Sequence, residues 1–215
     1  MVVAHPGRVA PARVDRLTDA LREAMDEVAT LTRTARRPEL AVVIYDDREA
    51  MRRATCAPSW SGGIFDGVLH LDVATVNGSR GMRVARHEAT HAQLATLRGR
   101  VPHWLNEGLA QHLEGAPSRA TRAAWARMVA QRFWIPFASL EGQLVVIDDP
   151  DDAQLAYHQS LAMVRYLLDA RGDAGLAEAA RHVEAGEARD LLERLVPSAD
   201  GEALLAFLAA EGLAR

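Results

Sequence analysis

Nearly every strand-forming run of this 215-residue chain lies before residue 77, and from about residue 79 onward the sequence reads as helix after helix. The sharpest strand signal is "SGGIFDGVLHLDVATV" at 61–76, where Asp66-Gly67 separates Ile64-Phe65 from Val68-Leu69-His70-Leu71. Asp-Gly between apolar runs is a strong hairpin signal, because its backbone supplies the positive φ that a tight turn requires. Residues 63–74 are therefore expected to form two antiparallel strands. "ELAVVIYDD" at 39–47 is a β-branched run and adds another strand. A few strands followed by many helices define an α+β arrangement: a small mixed sheet carrying an edge hairpin, then an all-helical C-terminal part.

The helices follow from spacing. Val14, Leu17, Leu21, Met25, Val28 and Leu31 recur at threes and fours, which predicts an amphipathic helix over 13–33, ended by Pro38. "DREAMRRAT" at 47–55 reads as a helix with an acidic first turn. After "NGSRG" breaks the chain, Met82, Ala85, Ala89 and Ala92 line one face of the next helix. "VPHWLNEGLAQHLEG" has Pro102 near its start and Gly115 just past its end. "SRATRAAWARMVAQRFW" continues in helical period, and 153–170, 174–185, 187–195 and 200–213 follow as helices. "GQLVVIDDPDDAQ" is a connecting loop with room for a short strand. Its acidic run, Asp148, Asp149, Asp151 and Asp152, lacks the glycine and terminal glutamate of a calcium loop and reads as a solvated turn. The expected organisation is one domain over 1–215, with an α/β part at 12–98 and a helical part at 99–215.

Composition excludes several classes. A formal net charge of -4 gives no basic footprint for nucleic acid. No apolar run approaches the roughly 20 residues that cross a bilayer, and the N-terminus has no apolar stretch of signal-peptide length. As written the chain is expected to be soluble and cytoplasmic, unless it is a domain of a longer exported or anchored protein. Cys56 is the only cysteine, which leaves no intrachain disulfide and no cysteine-based zinc knuckle. It is expected to be a buried small hydrophobe rather than a thiolate blocking a metal.

The chemistry sits in "RVARHEATHAQL" at 83–94. Positions i and i+4 of a helix lie about 40° apart on one face, so His87 and His91 can point at one ion from adjacent turns. Glu88 is one step round, near enough to touch a ligand of that ion. Two imidazoles that fix Zn²⁺, with a glutamate that takes a proton from water, are the mechanical content of an H-E-x-x-H motif. A catalytic zinc needs a third protein ligand and an open fourth position. Glu107, with fifteen residues between it and His91, is the candidate, in a helix where Trp104, Gly108 and Gln111 share its side. His103 and His112 compete for the same role and read better as surface or half-buried histidines.

"RHEATHAQL" followed by "PHWLNEGLAQHLEG" resembles the gluzincin metallopeptidases, and most closely their peptidase MA-like group. "APSWSGGIFDGVLHL" upstream and "LAYHQSLAMVRYLLDARG" downstream extend the similarity over roughly residues 38–172. The resemblance implies a zincin-like fold and one Zn²⁺ per chain, held by His87, His91 and Glu107. Glu88 would be the general base and a peptide the substrate. It implies that the strand around Val68, Leu69, His70 and Leu71 is the sheet edge along which an extended peptide docks. It also implies an oxyanion donor from the helical half, Tyr157 first and His158 second, with Asn106 bracing the ligand helix. The competing expectation is a zincin-fold domain that keeps the metal and turns over nothing.

Overall fold

The computed structural model describes residues 1–56, 62–142 and 150–213. Two compact units emerge: residues 1–30 with 35–96, and residues 31–34 with 97–215.

The first unit is built on a four-stranded sheet in the order β1-β2-β4-β3. β1 (Val2–Ala4), β2 (Ala41–Tyr45) and β4 (Leu69–Asp72) run parallel, and β3 (Gly63–Phe65) closes the hairpin antiparallel to β4. The turn forms as Asp-Gly demands: Gly67 has φ 108 and the Asp66 carboxylate accepts the Val68 N–H at 3.2 Å. β1 escapes sequence reading because three residues are too few to display a period. It pairs instead through the register Val2 to Ala41.

Helix α1 (Pro11–Thr32) buries Leu17, Leu21 and Val28 completely, the stripe its spacing predicts. α2 (Arg48–Thr55) starts where Asp47 accepts the Ala50 N–H at 2.7 Å and stops at Cys56, which adopts a left-handed cap with φ 57. Cys56 is therefore exposed, not buried, because its backbone closes the helix and turns the thiol outward.

β4 ends two residues earlier than its apolar run suggests. Asp72 caps a short helix α3 (Val73–Asn77) by accepting the Thr75 N–H at 2.7 Å. Asp72 is fully buried and also takes a hydrogen bond from Arg48 Nε at 3.4 Å. α4 (Gly81–Leu94) then lays Ala85, Ala89 and Ala92 into the core with Leu69, Leu71 and Ile44. Three small side chains on one face let the helix approach its neighbours closely.

The second unit is helical: α5 (His103–Leu113), α6 (Arg119–Gln131), α7 (Pro150–Arg171), α8 (Asp173–Glu184), α9 (Leu191–Leu195) and α10 (Gly201–Leu213). A 3-10 turn, Phe137–Leu140, follows α6. The helix expected over 187–195 shrinks to its last five residues. The acidic run is divided: Asp151 and Asp152 fall within the first turn of α7. Asp148, Asp149 and the expected short strand lie outside the described residues.

Helices α5 and α7 pack with almost no gap. A Cβ added at Gly108 would stand 2.2 Å from the Ser160 carbonyl oxygen and 2.6 Å from Val164 Cγ2. Gln111 Nε2 ties the pair by donating to the Tyr157 carbonyl at 2.8 Å. The fully buried Gln159 exchanges both amide bonds with the Ile135 backbone, at 2.7 and 2.6 Å, and so fixes the chain leaving α6. None of the described helices is long and apolar enough to cross a membrane.

Candidate metal centre

The alanine face of α4 decides where its polar residues go. With Ala85, Ala89 and Ala92 turned into the core, His87 and His91 stand together on another side, their ring centroids 4.7 Å apart and nearly perpendicular. Buttresses hold the helix at both ends of the pair. Arg86 reaches Glu27 on α1 at 2.5 Å, and the buried Gln93 donates to the Arg36 carbonyl at 2.7 Å. Glu88 is 7% exposed, so its carboxylate is largely shielded from bulk water.

Strand β3 runs directly beside Glu88. A Cβ at Gly63 would lie 3.3 Å from Glu88 Cγ, 2.9 Å from Val84 Cγ1 and 2.8 Å from Leu71 Cδ2. The glycine permits the edge strand to touch the motif helix.

The expected docking strand is thereby corrected. Leu69, His70 and Leu71 belong to β4, whose two backbone edges are occupied by β2 and β3; Val68 lies in the turn. On this side the sheet ends at β3, as it ends at β1 on the other. The His70 ring is also engaged, with Tyr45 Oη at 2.9 Å and Asp66 Oδ1 at 3.1 Å. Burial works against the charged form of Asp66, yet the Val68 N–H and His70 outweigh it and hold the carboxyl below its usual range.

On α5, Glu107 is 8% exposed, one turn beyond His103. The His103 ring meets Tyr157 edge-on at 5.8 Å, so Tyr157 faces the side of α5 that carries His103 and Glu107. His158, one residue on, points elsewhere. It lines a cleft with Arg127 of α6, and its carbonyl accepts the Trp125 indole N–H at 2.8 Å. Burial, then the nearby Arg127 charge, push its pKa below the ordinary histidine value.

One ligand atom from each of His87, His91 and Glu107 lies within 4.8 Å of the others. Two imidazoles and a carboxylate are a borderline-soft N/O donor set, and their number leaves one position of a tetrahedral ion open. Among the described residues, neither His103, His112 nor Cys56 belongs to this group.

Two histidines on an H-E-x-x-H helix and a glutamate on a later helix thus form a group that could hold a metal ion. The chain belongs to the Peptidase MA superfamily, whose family model matches residues 20–196. No match was found among curated proteins.

Proposed function

We propose that this chain is a zinc-dependent peptidase of the gluzincin type, with one zinc ion held by His87, His91 and Glu107. The convergence of those three ligand atoms within 4.8 Å, next to the shielded Glu88, carries the reading. When bound there, zinc supplies a Lewis acid that polarises a carbonyl and acidifies water. Glu88 takes the proton from the attacking water and passes it to the leaving amine. An extended peptide adds as a further strand along β3, in place of the β4 docking first expected, which brings its backbone past Glu88. Tyr157, turned toward the face of α5 that carries Glu107, is the group that donates to the oxyanion. His158 is a second choice, because it faces α6. Asn106 braces α5.

Metal analysis of the purified protein, with a peptide-library assay of wild type and Glu88→Gln, tests this. The expected result is about one zinc per chain in both and cleavage by wild type alone. No zinc after supplementation rejects the centre. Zinc with equal cleavage rejects Glu88 as the base, and zinc with persistent silence of wild type favours a binding domain.

A further inference from the structure

The second unit holds a cleft of about 580 Å³ between α6 and α7, within the size range of small-molecule sites. Arg127, Met128 and Gln131 face it from α6 at the three-and-four spacing of one helix stripe; Gln154, Leu155 and His158 face it from α7 in the same way. The walls are built rather than incidental. Trp125, 3% exposed, fixes the α7 backbone at His158 through its indole N–H. His158 Nδ1 is buried and has no hydrogen-bond partner among the described residues. A buried polar atom without a partner costs stability unless a ligand or water supplies one. Asp152 adds a carboxylate to the lining, and Phe133, 49% exposed, adds an apolar flank.

We propose that this cleft binds a short peptide by its free C-terminal carboxylate, with Arg127 as the anchor. A guanidinium fork matches a carboxylate in two parallel hydrogen bonds. The lining amides suit peptide groups, and Met128, Leu155 and Phe133 suit an apolar side chain. The Asp152 carboxylate opposes a multiply charged anion. The site stands apart from the metal reading and requires no metal.

Isothermal titration of the full chain with alanyl-leucine, alanyl-leucinamide and inorganic phosphate, each with and without EDTA, tests the assignment. The His158 ring resonances are followed by NMR in parallel. The free acid is expected to bind and shift His158 whether or not EDTA is present, and the amide to bind at least tenfold more weakly. Arg127 is exposed, so Arg127→Gln leaves the fold intact; it is expected to weaken the acid at least tenfold, and Arg127→Lys to recover part of the loss. Several results would overturn the proposal: no binding at about 10 mM, a concentration that reveals even millimolar sites; equal binding of acid and amide; phosphate binding as well as the dipeptide; or loss of binding in EDTA, which would move it to the metal centre.

Discussion

Replacing Gly108 by alanine pits two physical effects of opposite sign. Alanine is the better helix former by about 0.8–1 kcal/mol, so propensity alone stabilises the variant. Packing says otherwise. The new Cβ would sit 2.2 Å from the Ser160 carbonyl oxygen, where an ordinary contact needs about 3.4 Å or more. The obstacle is backbone, not the tip of a flexible side chain, so α5 and α7 must separate by about 1 Å. Overpacking of this kind costs about 1–3 kcal/mol, and a rigid obstacle puts the cost near the upper end. The net expectation is a loss of about 2 kcal/mol, or a fall in Tm of roughly 4–8 °C for a chain of this size. Calorimetry and urea unfolding measure it. Because Glu107 is the adjacent residue and Tyr157 rides on α7, zinc affinity should fall as well, read by competition with a chromogenic chelator. A Tm equal to or above wild type would show that the helices yield freely and would refute the close-packing account of how Glu107 is placed.

Asp72→Ala removes the cap of α3 and the buried partner of Arg48, and should cost about 1–2 kcal/mol in urea unfolding. Asp72→Asn, which can still cap, should cost less; the reverse order would sink the capping explanation. Gly63→Val drives a side chain into Leu71, Val84 and Glu88, with an expected stability cost of about 1–3 kcal/mol. On the proposed mechanism it should lower kcat/KM about tenfold or more in a peptide assay, and full activity in a folded variant would dissociate β3 from the reaction. His158 is held below its normal pKa by burial and by Arg127, so the unfolded chain binds its proton more readily. Its contribution to stability is complete above about pH 6.5 and is lost as pH falls from there through the folded-state pKa. His158→Gln should flatten that part of the stability profile, and identical profiles would reject the assignment.

The hairpin and the polar stripe of α4 were legible because each rests on local chemistry: Asp66-Gly67 for the turn, alanines at threes and fours for the helix. The three metal-ligand candidates were legible too, since the motif fixes two by helical period and Glu107 stands in a short apolar helix. What escaped was tertiary. The edge of a sheet is a property of pairing, and nothing in "GVLHLDV" says that β2 will occupy its far side. Asp72 looked like a strand residue because its role as a cap depends on where the chain turns. Tyr157 and His158 diverge by the 100° step of the helix, but which of them meets α5 and which meets α6 depends on how those helices pack around α7.

The buried alanines of α4 also set a timescale. Backbone amides exchange with solvent through fraying at helix ends and through larger openings where a face is sealed. With Ala85, Ala89 and Ala92 sealed in the core, the amides from Glu88 to Ala92 are expected to exchange through larger openings rather than end fraying. His91 lies within that stretch and His87 borders it, so both motif histidines are expected on a slowly exchanging part of the helix, which hydrogen exchange read by mass spectrometry checks.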